Sequence, residues 1–218
     1  MIMKNLFFID FETTGLNPYH NETIEVGIQK YGSDTYYNTL IIPKNENGFH
    51  YKYVPKKITE ITGITDKDII NGGISQEDAI FNTYKYIEGN SEEGPIYIIA
   101  HNGLCFDFIF FKRMIALYNN SSSVKTRTKT IKKNILKRFN YIDTMLLARY
   151  LIPNDRVNQP TLCNRFNIKN TDEHRSMGDV KSLMSLYVII CEQLSRIMGK
   201  SDNHYLEKTD KVLEELFI

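Results

Sequence analysis

The chain has 218 residues, 42% of them hydrophobic and 24% charged, with a formal net charge of +1 at pH 7. These values are ordinary for a soluble globular protein with one full core, and no apolar run approaches the roughly 20 residues that span a bilayer. The first residues lack the features of a signal peptide, and the three cysteines are scattered, which excludes a disulfide framework and a zinc knuckle. We therefore expect an intracellular, soluble protein, cytoplasmic or nuclear, with residues 1–218 forming a single domain.

The first part of the chain predicts strands that pair tightly. Strands are indicated by a continuous apolar run and by two alternating segments joined at Gly32-Ser33-Asp34, a connection short enough to require antiparallel pairing. A short helix ends at Gly63, and a capping box predicts the start of a second helix. The predicted elements are the strands Asn5–Asp10, Thr23–Tyr31 and Tyr36–Ile42, the helix Lys56–Thr62, and a helix opened by Ser75-Gln76-Glu77-Asp78 that runs to about Glu88.

The rest of the chain alternates strands and helices. Gly94-Pro95 introduces a short continuous apolar strand of the kind found at the centre of a parallel sheet. In order we predict the strand Ile96–Ala100, the helix Phe106–Tyr118, the strand Phe139–Asp143, the helices Thr144–Tyr150 and Thr161–Phe166, a long helix from about Met177 to Met198, and a last helix near Tyr205–Phe217. This order predicts an α/β fold with a mixed five-stranded sheet, three antiparallel strands followed by parallel ones, and helices on both faces.

Two carboxylates stand where the first strand ends. Asp10 and Glu12 are two residues apart, so in an extended chain both side chains leave the same face of the sheet. Like charges this close repel, and a cation between them relieves the repulsion. Thr13-Thr14-Gly15 then turns the chain and leaves the pair at an open rim, as a divalent-metal half-site requires, although a solvated strand end gives the same pattern.

Further polar residues follow the next two predicted strands. His101 and Asn102 come directly after Ala100, where they either brace the turn or contact a substrate, and Asp107 follows on the next helix. If the first and fourth strands are neighbours, Asp107 faces the Asp10–Glu12 rim, although a carboxylate at a helix N-terminus is also stabilised by the helix dipole. Asp143 is expected to be an N-cap that supports the site without binding the metal.

A third acidic signal opens the long helix. Asp179 lies at the start of an amphipathic helix, where a carboxylate on the inner face is costly unless it is paired, hydrogen-bonded or metal-bound. His174, five residues earlier on the preceding loop, can swing over whatever Asp179 binds. An exposed histidine is usually inert, but its spacing from a candidate ligand favours a catalytic role here.

The residues between Asn119 and Asn140 include seven cations and no acid. Such a block either tracks a phosphate backbone or forms a solvated surface loop, and the two interpretations are compatible. We expect residues 119–138 to be a basic loop insertion whose candidate phosphate contacts are Lys125, Arg127, Lys129, Lys132 and Lys133.

With these motifs in order, the chain resembles the DEDDh 3′–5′ exonucleases, which have a ribonuclease H-like fold. The match comprises Asp10 and Glu12, then Asp107, then His174 five positions before Asp179. Within that family the segments Ala100–Phe108, Ile61–Thr65 and Gly178–Val180 are most similar to the three-prime repair exonucleases. We expect no proline-rich partner-binding segment and no C-terminal membrane anchor, so the localisation and partners of individual relatives do not transfer.

The resemblance implies two divalent ions, Mg²⁺ or Mn²⁺, that clamp the scissile phosphate. Asp10 would bridge both ions, Glu12 and Asp179 would complete the first site, and Asp107 would act on the second directly or through water. His174 would deprotonate the attacking water, and a nucleoside 5′-monophosphate would leave. The terminal nucleotide would be held near Thr13, Thr14, Leu16 and Ile64, although ordinary core packing is the alternative for Leu16 and Ile64.

The resemblance favours DNA over RNA as the nucleic acid with a free 3′ end, with single strands or frayed ends preferred. An exoribonuclease of the same family is the nearest alternative, since the choice depends on how the pocket treats the 2′-hydroxyl. A proofreading subunit with a polymerase partner and a non-catalytic nucleic-acid-binding module are further alternatives. A homodimer is left open, and no membrane association is expected.

Overall fold

The computed structural model describes residues 4–44, 53–120, 131–170 and 174–197. Within these ranges there are six strands and eight helices, and the predicted elements that fall there follow one another in the predicted order. The strands are β1 (Leu6–Thr13), β2 (Thr23–Lys30), β3 (Tyr36–Ile42), β4 (Ile74–Ser75), β5 (Ile96–Ala100) and β6 (Phe139–Asp143). The helices are α1 (Lys56–Thr62), α2 (Asp66–Gly72), α3 (Gln76–Asn90), α4 (Asp107–Asn120), α5 (Lys133–Leu136), α6 (Thr144–Leu151), α7 (Gln159–Arg165) and α8 (Ser176–Ile197).

One mixed sheet organises the described residues, with strand order β4-β3-β2-β1-β5-β6. β1 pairs antiparallel with β2, and β2 pairs antiparallel with β3, whereas β5 and β6 run parallel to β1. The condition set for Asp107, that the first and fourth expected strands be neighbours, is therefore met, because β1 pairs with β5. The carboxyl ends of β1, β5 and β6 consequently lie along one edge of the sheet.

Helices cover both faces of the sheet, as predicted. Leu6 and Phe8 of β1 pack in a core cluster with the buried residues of α6, α7 and α8. Phe7, Ile9 and Phe11 point to the opposite face and pack with α3 and α4. The alternation follows from the two-residue period of an extended chain, and it decides which helices the carboxylates of β1 can meet.

The sheet has one strand more than the predicted five. β4 is only two residues long and pairs Ile74 and Ser75 in parallel with Ile41 and Ile42 at the edge of the sheet. A strand of this length has no alternation that a sequence pattern could reveal. β1 also extends beyond the predicted end, because its pairing with β2 continues through Glu12 opposite Glu25 before the register shifts at Thr13.

Helix ends agree closely with their sequence signals. Gly63 ends α1 in the left-handed conformation, with φ 72°, and Ser75 accepts a hydrogen bond from the backbone N–H of Asp78 at the start of α3. α2 was not predicted, although Thr65 and Asp68 form a reciprocal capping box at its N-terminus. The predicted helix near Tyr205–Phe217 lies outside the described residues. No helix within the described ranges is both long and apolar enough to cross a lipid bilayer.

Candidate active site

The site begins on β1, where one face of the strand changes from apolar to acidic. Leu6 and Phe8 are buried on the face that meets α8, and Asp10 and Glu12 continue the same face toward the strand end. Both carboxylates are half-buried. The sequence prediction that they share one face and stand at the rim agrees with their place in the structure.

Asp179 comes to this pair from the first turn of α8. One carboxylate oxygen from each of Asp10, Glu12 and Asp179 lies within 4.8 Å of the others, and this is the only such group of three among the described residues. Two donors orient Asp179, since Asn170 Nδ2 lies 2.8 Å from its Oδ1 and the His174 backbone N–H donates to its Oδ2 at 3.0 Å. Residues separated by about 170 positions therefore form one acidic cluster.

Burial and mutual repulsion make this cluster unfavourable as bare carboxylates. The pKa of Asp10 is raised well above its usual value, first by burial and then by the charges of Asp107, Glu12 and Asp179. Burial and the charges of Asp179 and Glu25 raise the pKa of Glu12 to about 8. Hard divalent cations prefer carboxylate oxygens, and a cation here would remove the repulsion. The donor set thus fits the divalent metal that the sequence predicted.

Asp107 lies beside this group, outside the set of three carboxylates. Its side chain is 2% exposed at the start of α4, and its Oδ1 accepts a hydrogen bond from the Phe11 backbone N–H at 3.1 Å. Burial raises the pKa of Asp107 to about 7, although the hydrogen bond from Phe11 opposes the shift. Of the charges that raise the pKa of Asp10, that of Asp107 is the largest, so the two carboxylates are close. The action of Asp107 on a second ion stays a prediction.

His174 is exposed beside the acidic cluster. Its backbone has a φ of 63°, a left-handed conformation that few residues other than glycine adopt, and its N–H is hydrogen-bonded to Asp179. This contact places residue 174 beside Asp179, and the imidazole of a histidine is a group that can accept a proton from water. The general-base role predicted for His174 is consistent with this position and is not tested by it.

Asp143 supports the rim in the way its N-cap prediction implied. It caps α6 by accepting from the Met145 backbone N–H at 2.9 Å, and it accepts from the backbone N–H groups of Asn102 and Leu104, each at 3.0 Å. His101 braces the same turn, since Nδ1 lies 2.8 Å from Thr144 Oγ1 and Nε2 lies 2.7 Å from the Val157 carbonyl. Both nitrogens of His101 therefore face protein partners, which favours bracing over substrate contact.

The predicted nucleotide-binding residues divide into two groups. Leu16 is 83% exposed on the loop after β1, where its side chain is available to a ligand. Thr13 and Thr14 are buried and their hydroxyls bond within the turn, to the Gly15 carbonyl and from the Glu22 N–H. Ile64 is 2% exposed and packs with Ile24, Val54 and Ile69, which is the core-packing alternative.

Of the five candidate phosphate contacts, Lys132 and Lys133 lie within the described residues. Lys125, Arg127 and Lys129 lie outside the described residues. Lys132 forms an ion pair with Glu88 at 3.0 Å, and Lys133 begins the short helix α5. Both precede β6 in the chain, on the side of its amino end. The acidic cluster lies at the opposite, carboxyl ends of the strands. Contact of this segment with phosphate remains a prediction.

Sequence reasoning missed two residues at the site. Glu25 of β2 is opposite Glu12 in the sheet and 1% exposed, and Arg175 binds it at 2.7 Å. The sequence did contain a signal for Glu25, because a glutamate within a strand as apolar as Thr23–Ile28, which is fully buried, needs a partner. Nothing in the pattern of Arg175 indicated that it would be this partner.

A family model described as "Exonuclease" (RNase_T) matches residues 7–187. The chain is 27% identical over 198 residues to the PolC-type DNA polymerase III of Mycoplasma genitalium, covering 86% of this chain but 11% of that polymerase. It is 30% identical over 210 residues to the DNA polymerase III subunit epsilon of Buchnera aphidicola subsp. Schizaphis graminum, covering 91% of this chain and 79% of that subunit. The chain thus spans about a tenth of the matched PolC-type polymerase.

Among solved structures, the chain is similar to E. coli exonuclease I in complex with a dT13 oligonucleotide. The TM-score is 0.67 at 15% sequence identity, covering 93% of this chain and 45% of that one. A zinc-bound form of an E. coli exonuclease I complex with single-stranded DNA matches with a TM-score of 0.64 at 15% identity, covering 89% and 42%. At these identities the likeness shows a shared fold.

Proposed function

The chain belongs to the RNase_T exonuclease family, as its DEDDh motifs predicted, and we propose that it hydrolyses DNA from the 3′ end. The observation that supports this proposal is the meeting of Asp10, Glu12 and Asp179 within 4.8 Å, beside His174. A structural metal site would have no need of an exposed base at its edge. DNA is proposed over RNA because the matched relatives are named as DNA polymerase III components.

In this proposal different side chains of the protein bind metal, transfer a proton and hold the nucleotide. Asp10, Glu12 and Asp179 hold divalent metal, with Asp107 acting directly or through water. When bound, two Mg²⁺ or Mn²⁺ ions supply Lewis-acid polarisation of the scissile phosphate and offset charge in the transition state. His174 takes the proton of the attacking water, and the exposed Leu16 grips the nucleotide to be removed. The products are a nucleoside 5′-monophosphate and a strand that is one nucleotide shorter.

The proposal is tested with 5′-labelled single-stranded DNA and RNA of the same sequence, incubated with Mg²⁺, Mn²⁺ or a chelator. We expect DNA to shorten stepwise from its 3′ end, with no product in the chelator. Asp10→Asn should be inactive because the site loses a charged ligand, whereas Asp34→Asn, an exposed aspartate in the β2–β3 turn, should retain activity. Intact DNA and RNA with either metal would refute the enzymatic proposal, and faster cleavage of RNA would favour an exoribonuclease.

A second candidate is the same hydrolysis within a polymerase assembly. The relatives named as DNA polymerase III proteins favour it, because removing a 3′ end is the chemistry that a polymerase needs after adding a wrong nucleotide. Primer–template duplexes with a paired or mismatched 3′ terminus decide between the two. Preferential removal of the mismatch and co-purification with a polymerase support the assembly, whereas robust activity of the isolated chain on single strands makes a partner unnecessary.

A further inference from the structure

The charge of Glu25 is met by a cation of the protein itself, Arg175. Arg175 donates to it through two nitrogens, with Nη2 at 2.7 Å from Oε1 and Nε at 3.3 Å from Oε2. The Ser176 backbone N–H also donates to Oε2, at 3.0 Å. A buried carboxylate is tolerated when its oxygens are paired and hydrogen-bonded, and here every donor comes from the start of α8.

The same stretch of β2 is shaped to receive the start of α8. Gly27 lies two residues after Glu25, and a Cβ there would be 2.8 Å from both the backbone carbonyl carbon and the hydroxyl of Ser176. Asn38 of β3 donates to the Ser176 hydroxyl and to the Val26 carbonyl, each at 3.0 Å. The N-terminus of α8 is therefore seated directly on β2 by a close backbone approach and by the Glu25–Arg175 ion pair.

The position of Arg175 in the chain connects this contact to the chemistry. Arg175 directly follows His174, and its carbonyl accepts a hydrogen bond from the Asp179 N–H at 3.0 Å. A displacement of Arg175 would therefore move both the candidate base and the candidate metal ligand. On the sheet side, Glu25 is the cross-strand partner of Glu12. One ion pair thus joins the two halves of the acidic cluster.

We infer that Glu25 and Arg175 are positioning residues, which hold His174 and Asp179 against Asp10 and Glu12 without touching metal or substrate. The inference rests on the proposed exonuclease function and adds two residues to it. Simple charge is the competing explanation, because Glu25 adds a negative charge to the cluster and Arg175 a positive one. The two explanations can be separated, because they predict shifts of different sign in the Mn²⁺ affinity when Arg175 is replaced.

The test compares Glu25→Gln with Arg175→Gln. Positioning predicts that both variants lose about 10- to 100-fold in kcat on single-stranded DNA, with KM nearly unchanged, and that both bind Mn²⁺ more weakly by calorimetry. Charge alone predicts opposite shifts in Mn²⁺ affinity, weaker for Glu25→Gln and tighter for Arg175→Gln. The double variant should cost less than the sum of the two single variants, because the second substitution removes an interaction already lost.

Arg175→Lys and Arg165→Gln complete the experiment. Arg175→Lys keeps the charge but loses the forked geometry, so positioning predicts a loss and charge alone predicts wild-type behaviour; it also replaces Arg175→Gln if that variant does not fold. Arg165→Gln removes a different ion pair, between Arg165 of α7 and Asp155 at 2.7 Å, and should leave both kcat and Mn²⁺ affinity unchanged.

Wild-type kcat in folded Glu25→Gln, or opposite shifts in Mn²⁺ affinity, would overturn the inference. If the wild-type protein cleaves no nucleic acid, the proposed function fails, and the Mn²⁺ affinities alone decide whether the pair positions Asp179.

Discussion

His174 combines an exposed imidazole with a constrained backbone. A left-handed conformation costs a non-glycine residue on the order of 1 kcal/mol or more, and here the hydrogen bond from its N–H to Asp179 opposes that cost. The candidate base is thus tied through its backbone to a carboxylate of the acidic cluster, and the residue is exposed. We interpret the strain as the result of placing an imidazole at the mouth of the site.

Replacing His174 should therefore affect turnover and leave binding intact. We expect His174→Ala to lower kcat by about 10²- to 10⁴-fold, the usual contribution of a general base, while the affinity for single-stranded DNA stays near wild type. His174→Asn is the matched variant, because asparagine tolerates a positive φ but cannot act as the base. Single-turnover kinetics and fluorescence anisotropy measure the two quantities. Wild-type turnover in either variant would remove His174 from the mechanism.

Among the secondary-structure elements, the contact between β2 and α8 determines the geometry of the acidic cluster. β1 supplies two carboxylates by strand periodicity alone, but Asp179 joins them only because the first turn of α8 lies against β2. The approach is so close that Gly27 has no room for a side chain. The geometry of the site therefore depends on a glycine that bears no chemistry.

Gly27→Ala tests this dependence at the level of the element. The added methyl group meets the backbone of Ser176, so α8 must shift, and we expect a loss of about 1–3 kcal/mol in the free energy of unfolding together with a fall in kcat. Gly89→Ala in α3 is the control, since a Cβ there has open space and alanine favours a helix. Urea unfolding and single-strand hydrolysis measure the effects. Unchanged activity in Gly27→Ala would show that α8 can move without cost.

For the whole molecule, the acidic cluster couples stability to pH and to metal. Glu12 has a folded pKa of about 8 against a usual 4.5, and Asp107 one of about 7 against 3.8. A carboxyl whose pKa is raised by folding binds protons more tightly in the folded state. Below its unfolded pKa it is protonated in both states and does not lower the free energy of unfolding. The destabilisation of the folded state begins as pH rises through about 4 and reaches its full size above about 8. The metal-free protein should therefore lose stability across that range.

Divalent metal should reverse this loss, because the cation takes the place of the missing protons. We expect the rise in Tm on adding Mg²⁺ or Mn²⁺ to be small at pH 5 and larger at pH 8, since protons compete for the same oxygens at low pH. Calorimetric scans in chelator and in metal across this range measure it. Asp10→Asn should show a reduced rise at pH 8, and a metal effect independent of pH would mean that binding occurs elsewhere.

Much of this protein could be predicted from local sequence. Strand alternation placed Asp10 and Glu12 on one face, and capping chemistry placed Ser75 and Asp143 at helix starts, because these signals depend only on neighbours in the chain. The order of strands and helices predicted the mixed sheet with helices on both faces. Spacing paired His174 with Asp179, and this pair together with Asp10, Glu12 and Asp107 in order suggested the family.

Only the tertiary structure determined which residues far apart in the chain contact one another and which are buried. Glu25 and Arg175 are 150 residues apart, and no local pattern indicates that one neutralises the other. Ile64 and Leu16 looked alike in the sequence, yet Ile64 is buried in a core cluster and Leu16 stands in solvent, because exposure depends on which segments fold over a residue. Local sequence specifies the direction of a side chain along its own element, whereas the partner it meets depends on how the elements pack.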